Sequence, residues 1–104
     1  MTRETTILII DDDTDLRQVL VEQFDLENGF SGVGAGTAAE GFKAAEETKP
    51  SAIVLDVSLP DMDGTEACRR LREQGVKAPI ILLTGVSREE QEPYFETILA
   101  VGEK

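Results

Sequence analysis

The sequence predicts a small α/β domain built around a doubly wound parallel sheet. Four short apolar runs lack polar alternation, as is typical of strands that are covered on both faces. They alternate along the chain with segments whose apolar residues recur at helical spacing, and such alternation favours parallel strands with right-handed crossovers. A chain of 104 residues has room for one domain, which we take to span residues 1–104.

The predicted elements follow one another as βαβαβαβα. The strands are the apolar runs at residues 6–10, 30–35, 52–55 and 80–83. The helices are predicted by four groups of apolar residues at helical spacing. These groups are Leu16, Val19, Leu20 and Phe24; Ala38, Phe42 and Ala45; Ala67, Cys68 and Leu71; and Tyr94, Phe95, Ile98 and Leu99.

Residues that begin or end helices lie at the expected boundaries. The first three predicted helices are followed by turn or C-capping residues, because glycine and proline end helices readily. These are Asn28-Gly29, Lys49-Pro50 and Gly75. Thr37 is positioned to cap the second helix, and Ser87 with Glu90 offers a capping box for the fourth.

The charged residues exclude several kinds of function. The net charge is −11, so the chain lacks the basic surface that direct nucleic-acid binding uses. There is no histidine, which removes histidine metal sites and Ser-His-Asp triads. Any chemistry must therefore use carboxylates, hydroxyls and a cation.

The apolar stretches and the single cysteine bear on location. No apolar run approaches the ~20 residues of a membrane span, and no extended apolar segment of the secretory type precedes the first strand. Cys68 has no partner for an internal disulfide, and its position in a helical pattern favours a small buried side chain. We expect a soluble domain of the cytoplasm.

Three predicted strands end in side chains with oxygen ligands. Asp11 and Asp12 follow the first strand, Asp56 follows the third, and Thr84 follows the fourth. The carboxyl ends of parallel strands lie about 5 Å apart at one edge of a sheet, so the carboxylates are expected to converge. A hard divalent cation relieves their repulsion, and Mg²⁺ is the natural candidate. Asp13 is an equal candidate for the cap of the first helix, with Thr14 and Asp15 as rival caps.

The strand-end residues, taken together, resemble the receiver domains of two-component response regulators, which have a flavodoxin-like fold. The resemblance covers the whole chain. It rests on the acidic pair Asp11-Asp12, on Asp56 with Pro60 four residues beyond it, on the turn at residues 62–64 (MDG), and on Thr84-Gly85. This combination of residues and spacings is highly specific.

The resemblance implies a function and a role for each site residue. Asp56 would be the nucleophile that accepts a phosphoryl group from the phosphohistidine of a sensor histidine kinase or phosphotransfer protein, and the aspartyl phosphate would later hydrolyse. Asp12 would bind Mg²⁺ directly, Asp11 directly or through water, Asp56 through its other oxygen, and Ser58 through its backbone carbonyl. Thr84 would hydrogen-bond the phosphoryl group and draw the following loop inward. The chain would catalyse only its own phosphorylation and dephosphorylation.

The carboxyl-terminal part of the sequence departs from the family. Receiver domains continue into a fifth strand, a lysine followed by proline, and a fifth helix, and this fifth βα unit is expected to be missing here. Lys104 has no predicted strand before it and no proline after it, so it is not assigned the role of the family lysine. Without a fifth strand the edge of the fourth strand would be open, which predicts a homo-oligomer or a domain swap.

Three segments or properties of the chain suggest alternative functions. Residues 61–65 (DMDGT) resemble the signature of haloacid dehalogenase phosphatases, but Asp56, not Asp61, directly follows its strand. The glycines of residues 32–36 (GVGAG) could cradle a phosphate, although their spacing is not GxGxxG. The main alternative is a receiver-like interaction module that self-associates and acts without phosphorylation.

Overall fold

The computed structural model describes residues 5–84 and 97–101, with Thr84 and residues 97–101 described by their backbone. The elements are five strands and three helices in these parts of the chain. In order they are β1 (Thr5–Ile10), α1 (Thr14–Leu26), β2 (Phe30–Ala35), α2 (Ala38–Thr48), β3 (Ala52–Asp56), α3 (Gly64–Glu73), β4 (Ile80–Thr84) and β5 (Thr97–Val101).

The strands form one sheet in the order β2-β1-β3-β4-β5. The first four strands run parallel, which confirms the predicted α/β class with a parallel sheet. The chain leaves β1 on one side to form β2 and returns on the other side to form β3. In such sheets the crevice at the carboxyl ends of the two diverging strands is the usual ligand site. The register places this crevice beside Ile10 and Leu55, which pair across β1 and β3.

The core lies on the faces of the central strands, under the helices. The largest side chains with no exposed surface belong to β1, β3, α3 and β4. They are Leu8, Ile9, Ile10, Ile53, Leu55, Leu71 and Ile80. Burying a side chain of this size stabilises the fold by roughly 1.5–3 kcal/mol, so the core holds the strand ends in place.

The glycines of β2 serve the packing of α1. A Cβ at Gly32 would lie 2.8 Å from the backbone oxygen of Val21, so the helix backbone rests directly on the strand. This close approach requires glycine. It gives residues 32–36 a packing role and leaves the phosphate-cradle alternative without support from these contacts.

The predicted fourth helix is wrong where the structure describes it. Ile98 and Leu99 lie in β5, an antiparallel strand whose residues pair with Leu83 and Leu82 of β4. A short apolar run cannot be assigned to helix or strand by periodicity alone, and here the unpaired backbone groups of β4 favour the strand. Tyr94, Phe95 and the predicted capping box at Ser87 lie outside the described residues.

The predicted open edge of β4 is also wrong. β5 pairs with β4 along the whole strand, from Ile80 with Val101 to Thr84 with Thr97. A fifth strand is therefore present, although it is antiparallel rather than part of a fifth parallel βα unit. The expected self-association through the β4 edge loses its structural basis, because that edge is already satisfied within the chain. Lys104 lies outside the described residues.

Helix ends agree with the residues predicted for them. Thr37 caps α2 by accepting a hydrogen bond from the backbone N–H of Glu40 at 3.1 Å. Lys49 ends α2 in the left-handed region with φ of 50°, while Gly29 and Gly75 take positive φ after α1 and α3. None of the helices in the described ranges combines the length and the apolar composition of a membrane span.

Candidate functional site

Three carboxylates meet at the carboxyl edge of the sheet. Each of Asp11, Asp12 and Asp56 offers one oxygen, and these oxygens lie within 4.8 Å of one another. The register explains the meeting: Ile10 pairs with Leu55, so Asp11 and Asp56 follow β1 and the apolar part of β3 at the same level. The structure thus brings together the residues that the sequence predicts to converge.

Asp11 is the buried member of the cluster, with 3% of its surface exposed. Its Oδ1 accepts a hydrogen bond from the backbone N–H of Asp13 at 2.9 Å, while its own N–H donates to Ala35 O at 3.0 Å. Burial raises the pKa of the Asp11 carboxyl above its usual value, because it disfavours the charged form. A cation bound beside this carboxyl would favour its charged form.

Arg17 lies against this strand end. Its Nη1 donates a hydrogen bond to the backbone oxygen of Asp11 at 2.7 Å, from one turn into α1. The positive charge of Arg17 favours the charged form of Asp11 and so offsets a small part of the rise in its pKa that burial causes. Sequence reasoning missed this contact, although Arg17 is the single basic residue between Arg3 and Lys43 and could have been noticed for that reason.

Asp56 is partly exposed at the end of β3. Its Oδ1 accepts a hydrogen bond from the backbone N–H of Ser58 at 3.3 Å, which orients the carboxylate. Burial, followed by the negative charge of Asp11, raises the pKa of Asp56 to about 6. At neutral pH the group is mostly ionised, so it can act as a nucleophile or as a metal ligand.

The donor set suits a hard cation. Carboxylate oxygens are the ligands of Mg²⁺ and Ca²⁺, and like charges this close repel one another without a counter-ion. The cluster can therefore bind a metal. Among the residues that the structure describes, it is the group of acidic or sulfur-bearing side chains placed for this role.

The loop between β3 and α3 folds back on the strand end. Val57 donates its N–H to Leu83 O at 3.2 Å, and Gly64 donates its N–H to Val57 O at 2.6 Å. Ser58 also forms an antiparallel bridge with Asp63. A Cβ at Gly64 would lie 2.5 Å from the backbone oxygen of Asp56, so this return requires glycine.

Ser58 and Thr84 are placed near the cluster by their positions at the ends of β3 and β4. Ser58 is exposed and two residues beyond Asp56, and the use of its carbonyl as a ligand stays a prediction. Thr84 ends β4 one residue after Leu83, which pairs with Asp56. This position is the one expected of it, and the hydrogen bond to a phosphoryl group stays a prediction. Gly85 lies outside the described residues.

Two further acids near the site serve as caps. Asp13 caps α1, with its Oδ1 accepting from the N–H of Leu16 at 3.1 Å, which agrees with one of its two predicted roles. Asp63 caps α3 and accepts from the N–H of Thr65 at 2.7 Å. The second aspartate of the dehalogenase-like segment is therefore used to begin a helix.

Asp61, the first aspartate of that segment, is bound to a different helix. Its two carboxylate oxygens accept hydrogen bonds from the backbone N–H groups of Ala38, at 2.9 Å, and Ala39, at 3.1 Å. These bonds hold the pKa of Asp61 below its usual value. The contact argues against a nucleophilic Asp61. Sequence reasoning missed it because the partners lie more than 20 positions away.

Comparisons with known proteins agree with this geometry. The family model for the response regulator receiver domain matches residues 7–102. The chain is 42% identical over 84 residues to the alkaline phosphatase synthesis transcriptional regulatory protein PhoP of Bacillus subtilis, covering 80% of this chain and 34% of that protein. It is 40% identical over 78 residues to the response regulator MprA of a Mycobacterium species, covering 75% of this chain and 34% of that protein.

Solved structures give the same answer for the fold. The receiver domain of a Francisella response regulator superposes with a TM-score of 0.71 at 29% identity, covering 83% of this chain and 71% of that one. A two-component response regulator of the LuxR family from Aurantimonas superposes with a TM-score of 0.71 at 28% identity, covering 81% and 61%. The chain spans about a third of the length of the curated relatives it matches. By sequence, fold and strand-end residues, the chain belongs to the response regulator receiver domain family.

Proposed function

We propose that this receiver domain takes a phosphoryl group onto Asp56 from the phosphohistidine of a sensor histidine kinase or phosphotransfer protein. The observation that carries the proposal is the position of the Asp56 carboxylate at the end of β3, with an oxygen within 4.8 Å of oxygens of Asp11 and Asp12. Such a cluster combines a nucleophile with ligands for a cation. The same arrangement suits acceptance of a group that carries several negative charges.

The proposed reaction forms and breaks bonds at phosphorus. An oxygen of the ionised Asp56 carboxylate attacks, while the bond from phosphorus to the donor's imidazole nitrogen breaks and the nitrogen keeps the electron pair. Ser58 holds Oδ1 through its N–H, so the attacking atom can be the other oxygen. Water later hydrolyses the acyl phosphate, which releases inorganic phosphate and restores Asp56. The domain thus catalyses only its own modification and its reversal.

Mg²⁺ is the proposed cofactor. The carboxylates of Asp11, Asp12 and Asp56 would hold it, together with the backbone carbonyl of Ser58, because this oxygen set matches the preference of the ion. Bound there, Mg²⁺ would neutralise charge on the phosphoryl oxygens. Asp11 and Asp12 would then cease to repel the incoming group.

Phosphorylation of Asp56 would produce an output through Thr84. Thr84 would bind the phosphoryl group and bias a two-state equilibrium of the distal surface. The domain would work in the cytoplasm, where its kinase partner presents the phosphohistidine. The domain would self-associate through a surface other than the β4 edge. Sedimentation at high concentration tests this proposal, and a monomer would refute it.

Intact mass after incubation with acetyl phosphate and Mg²⁺ tests the proposed function. The wild type should gain one phosphoryl group, and both Asp56→Asn and addition of a chelator should abolish the gain. A matched control, Asp25→Asn, changes an exposed carboxylate remote from the cluster and should leave the gain intact. If the wild type binds Mg²⁺ but gains no mass, the phosphorylation-independent interaction module is favoured instead.

A further inference from the structure

The loop that follows Asp56 is hydrogen-bonded to a neighbouring helix, α2, through Asp61. This carboxylate uses both of its oxygens, one for the N–H of Ala38 and one for the N–H of Ala39. Its own segment lies between β3 and α3, whereas its partners begin α2. Two bonds from one planar group fix both the distance and the orientation of the loop relative to that helix.

The start of α2 needs this contact. The first N–H groups of a helix have no partner within it, and here a local cap satisfies only part of the set. Thr37 accepts from the N–H of Glu40, while those of Ala38 and Ala39 are left to Asp61. A carboxylate at this end of a helix is also favoured by the macrodipole. The contact therefore stabilises both the helix and the loop.

Apolar side chains hold the loop to the core, but few contacts hold it to the neighbouring elements beside it. Leu59 is buried in the core, and the partly buried Met62 packs against it. Between these two anchors, Pro60 and Asp61 are exposed, so the polar contact to α2 is what holds this part of the loop in place. The loop begins directly after Asp56 and includes Ser58, whose N–H binds the Asp56 carboxylate.

We propose that Asp61 is a positioning residue of the receiver site: by fastening the β3–α3 loop to α2, it keeps Ser58 and Asp56 in the geometry that the site uses. The inference rests on the proposed function, because the loop that Asp61 holds begins directly after the proposed phosphoacceptor. Asp61 is not among the residues proposed to hold the phosphoryl group or the metal. Its effect is transmitted through the backbone of residues 57–63.

Four variants separate this role from simple helix capping. Asp61→Ala removes both bonds, and Asp61→Asn keeps one acceptor oxygen and should rescue part of the effect. Thr37→Ala removes the local cap of α2 but leaves the tether. Asp25→Ala is the matched control, since Asp25 is also an exposed carboxylate that accepts from a backbone N–H, that of Gly32 at 2.8 Å.

Amide hydrogen exchange of the metal-free protein is the first readout. Asp61→Ala should speed exchange at Ala38 and Ala39 and also at Ser58 and Gly64, which belong to the loop. Thr37→Ala should speed exchange at Glu40 without affecting the loop amides, and Asp25→Ala should affect neither region. This readout does not depend on whether the domain is phosphorylated.

Mg²⁺ affinity by calorimetry is the second readout. Asp61→Ala should weaken binding about tenfold, as is typical when a residue that orients metal ligands is lost, with Asp61→Asn in between. Thr37→Ala and Asp25→Ala should leave the affinity unchanged.

Two outcomes would overturn the inference. One is that Asp61→Ala speeds exchange only at the α2 amides, and the other is that Thr37→Ala weakens Mg²⁺ binding equally. If Asp61→Ala does not fold, Asp61→Asn decides by the same criteria. Failure of the wild type to accept a phosphoryl group would instead refute the proposed function, and the exchange comparison would still stand.

Discussion

The buried carboxylate of Asp11 lies across the β1–β3 crevice from Asp56, and its charge adds to burial in raising the pKa of Asp56 to about 6. This relationship stores an unfavourable interaction in the folded protein. The interaction disappears when a proton or a cation arrives at the site. It follows that stability and occupancy of the site are linked.

Replacing Asp56 by asparagine should stabilise the metal-free protein at pH 7.5 by about 1–3 kcal/mol. The folded-state pKa, about 6, lies above the ordinary value of 3.8, so the folded state holds more protons between these values. The free energy of unfolding of the wild type should therefore fall as pH rises from 4 to 6, and this fall should be smaller in the variant. Urea denaturation across this range measures it.

The control for this prediction is Glu47→Gln, which removes one negative charge from the exposed surface of α2, away from the cluster. It should keep the wild-type fall in stability. The raised pKa of Asp56 would be contradicted if the wild type became more stable from pH 4 to 6 and Asp56→Asn abolished that gain in stability. Adding Mg²⁺ at pH 7.5 should stabilise the wild type more than Asp56→Asn.

Removing the side chain of Arg17 should destabilise the fold at the end of β1. Arg17→Ala loses the hydrogen bond to the backbone oxygen of Asp11, which costs about 1–2 kcal/mol, and it removes a charge that lowers the pKa of Asp11. A positive charge beside the cluster also repels Mg²⁺, so its loss should raise the Mg²⁺ affinity measured by calorimetry at pH 8, while urea denaturation shows the lower stability.

The comparison variant is Arg70→Ala, on α3. Arg70 pairs with Glu66 at 3.0 Å, but both side chains are exposed, and exposed ion pairs contribute little. It should leave the Mg²⁺ affinity unchanged and the stability nearly so. Equal changes in the two arginine variants would mean that the effect comes from net charge and not from the contact of Arg17 with Asp11.

Adding a methyl group at Gly64 should disturb the end of β3. The new Cβ would lie 2.5 Å from Asp56 O and 2.6 Å from the Cα of Val57, and both are backbone atoms that cannot rotate away. Gly64→Ala should cost about 1–3 kcal/mol and lower Mg²⁺ affinity, as measured by urea denaturation and calorimetry. At Gly36 the nearest atom is the side-chain end of Arg17 at 3.1 Å, so Gly36→Ala should cost less. The reverse order would refute this account.

Replacing Lys49 by glycine should stabilise the protein. Lys49 takes φ of 50° at the end of α2, a conformation that glycine adopts without a steric cost. The free energy of unfolding should rise by about 0.5–1 kcal/mol, with Mg²⁺ affinity unchanged. Lys43→Gly, inside the same helix, should lower it by about 1 kcal/mol. A loss of stability in both variants would show that the side chain of Lys49 contributes more than its backbone strain costs.

Local patterns predicted most of the sheet and the central carboxylates. β1 and β4 bury residues of both faces, so a continuous apolar segment is a direct signal for them, whereas β3 buries one face and leaves the other partly exposed. Parallel pairing then brings Asp11 and Asp56 to one edge whatever the details of packing. The cluster was therefore predictable from two short segments far apart in the chain.

The sequence by itself determined the α/β class, the strand-end carboxylates and the caps Thr37 and Asp13, because each depends on neighbours a few positions away. Only the tertiary structure decided that residues 97–101 pair with β4, since the free edge of a strand, not local periodicity, selects their conformation. It alone placed Arg17 on Asp11 and Asp61 on the start of α2. The physical reason is that a hydrogen bond between distant segments is formed by the packing of whole elements, and short-range patterns do not carry that information.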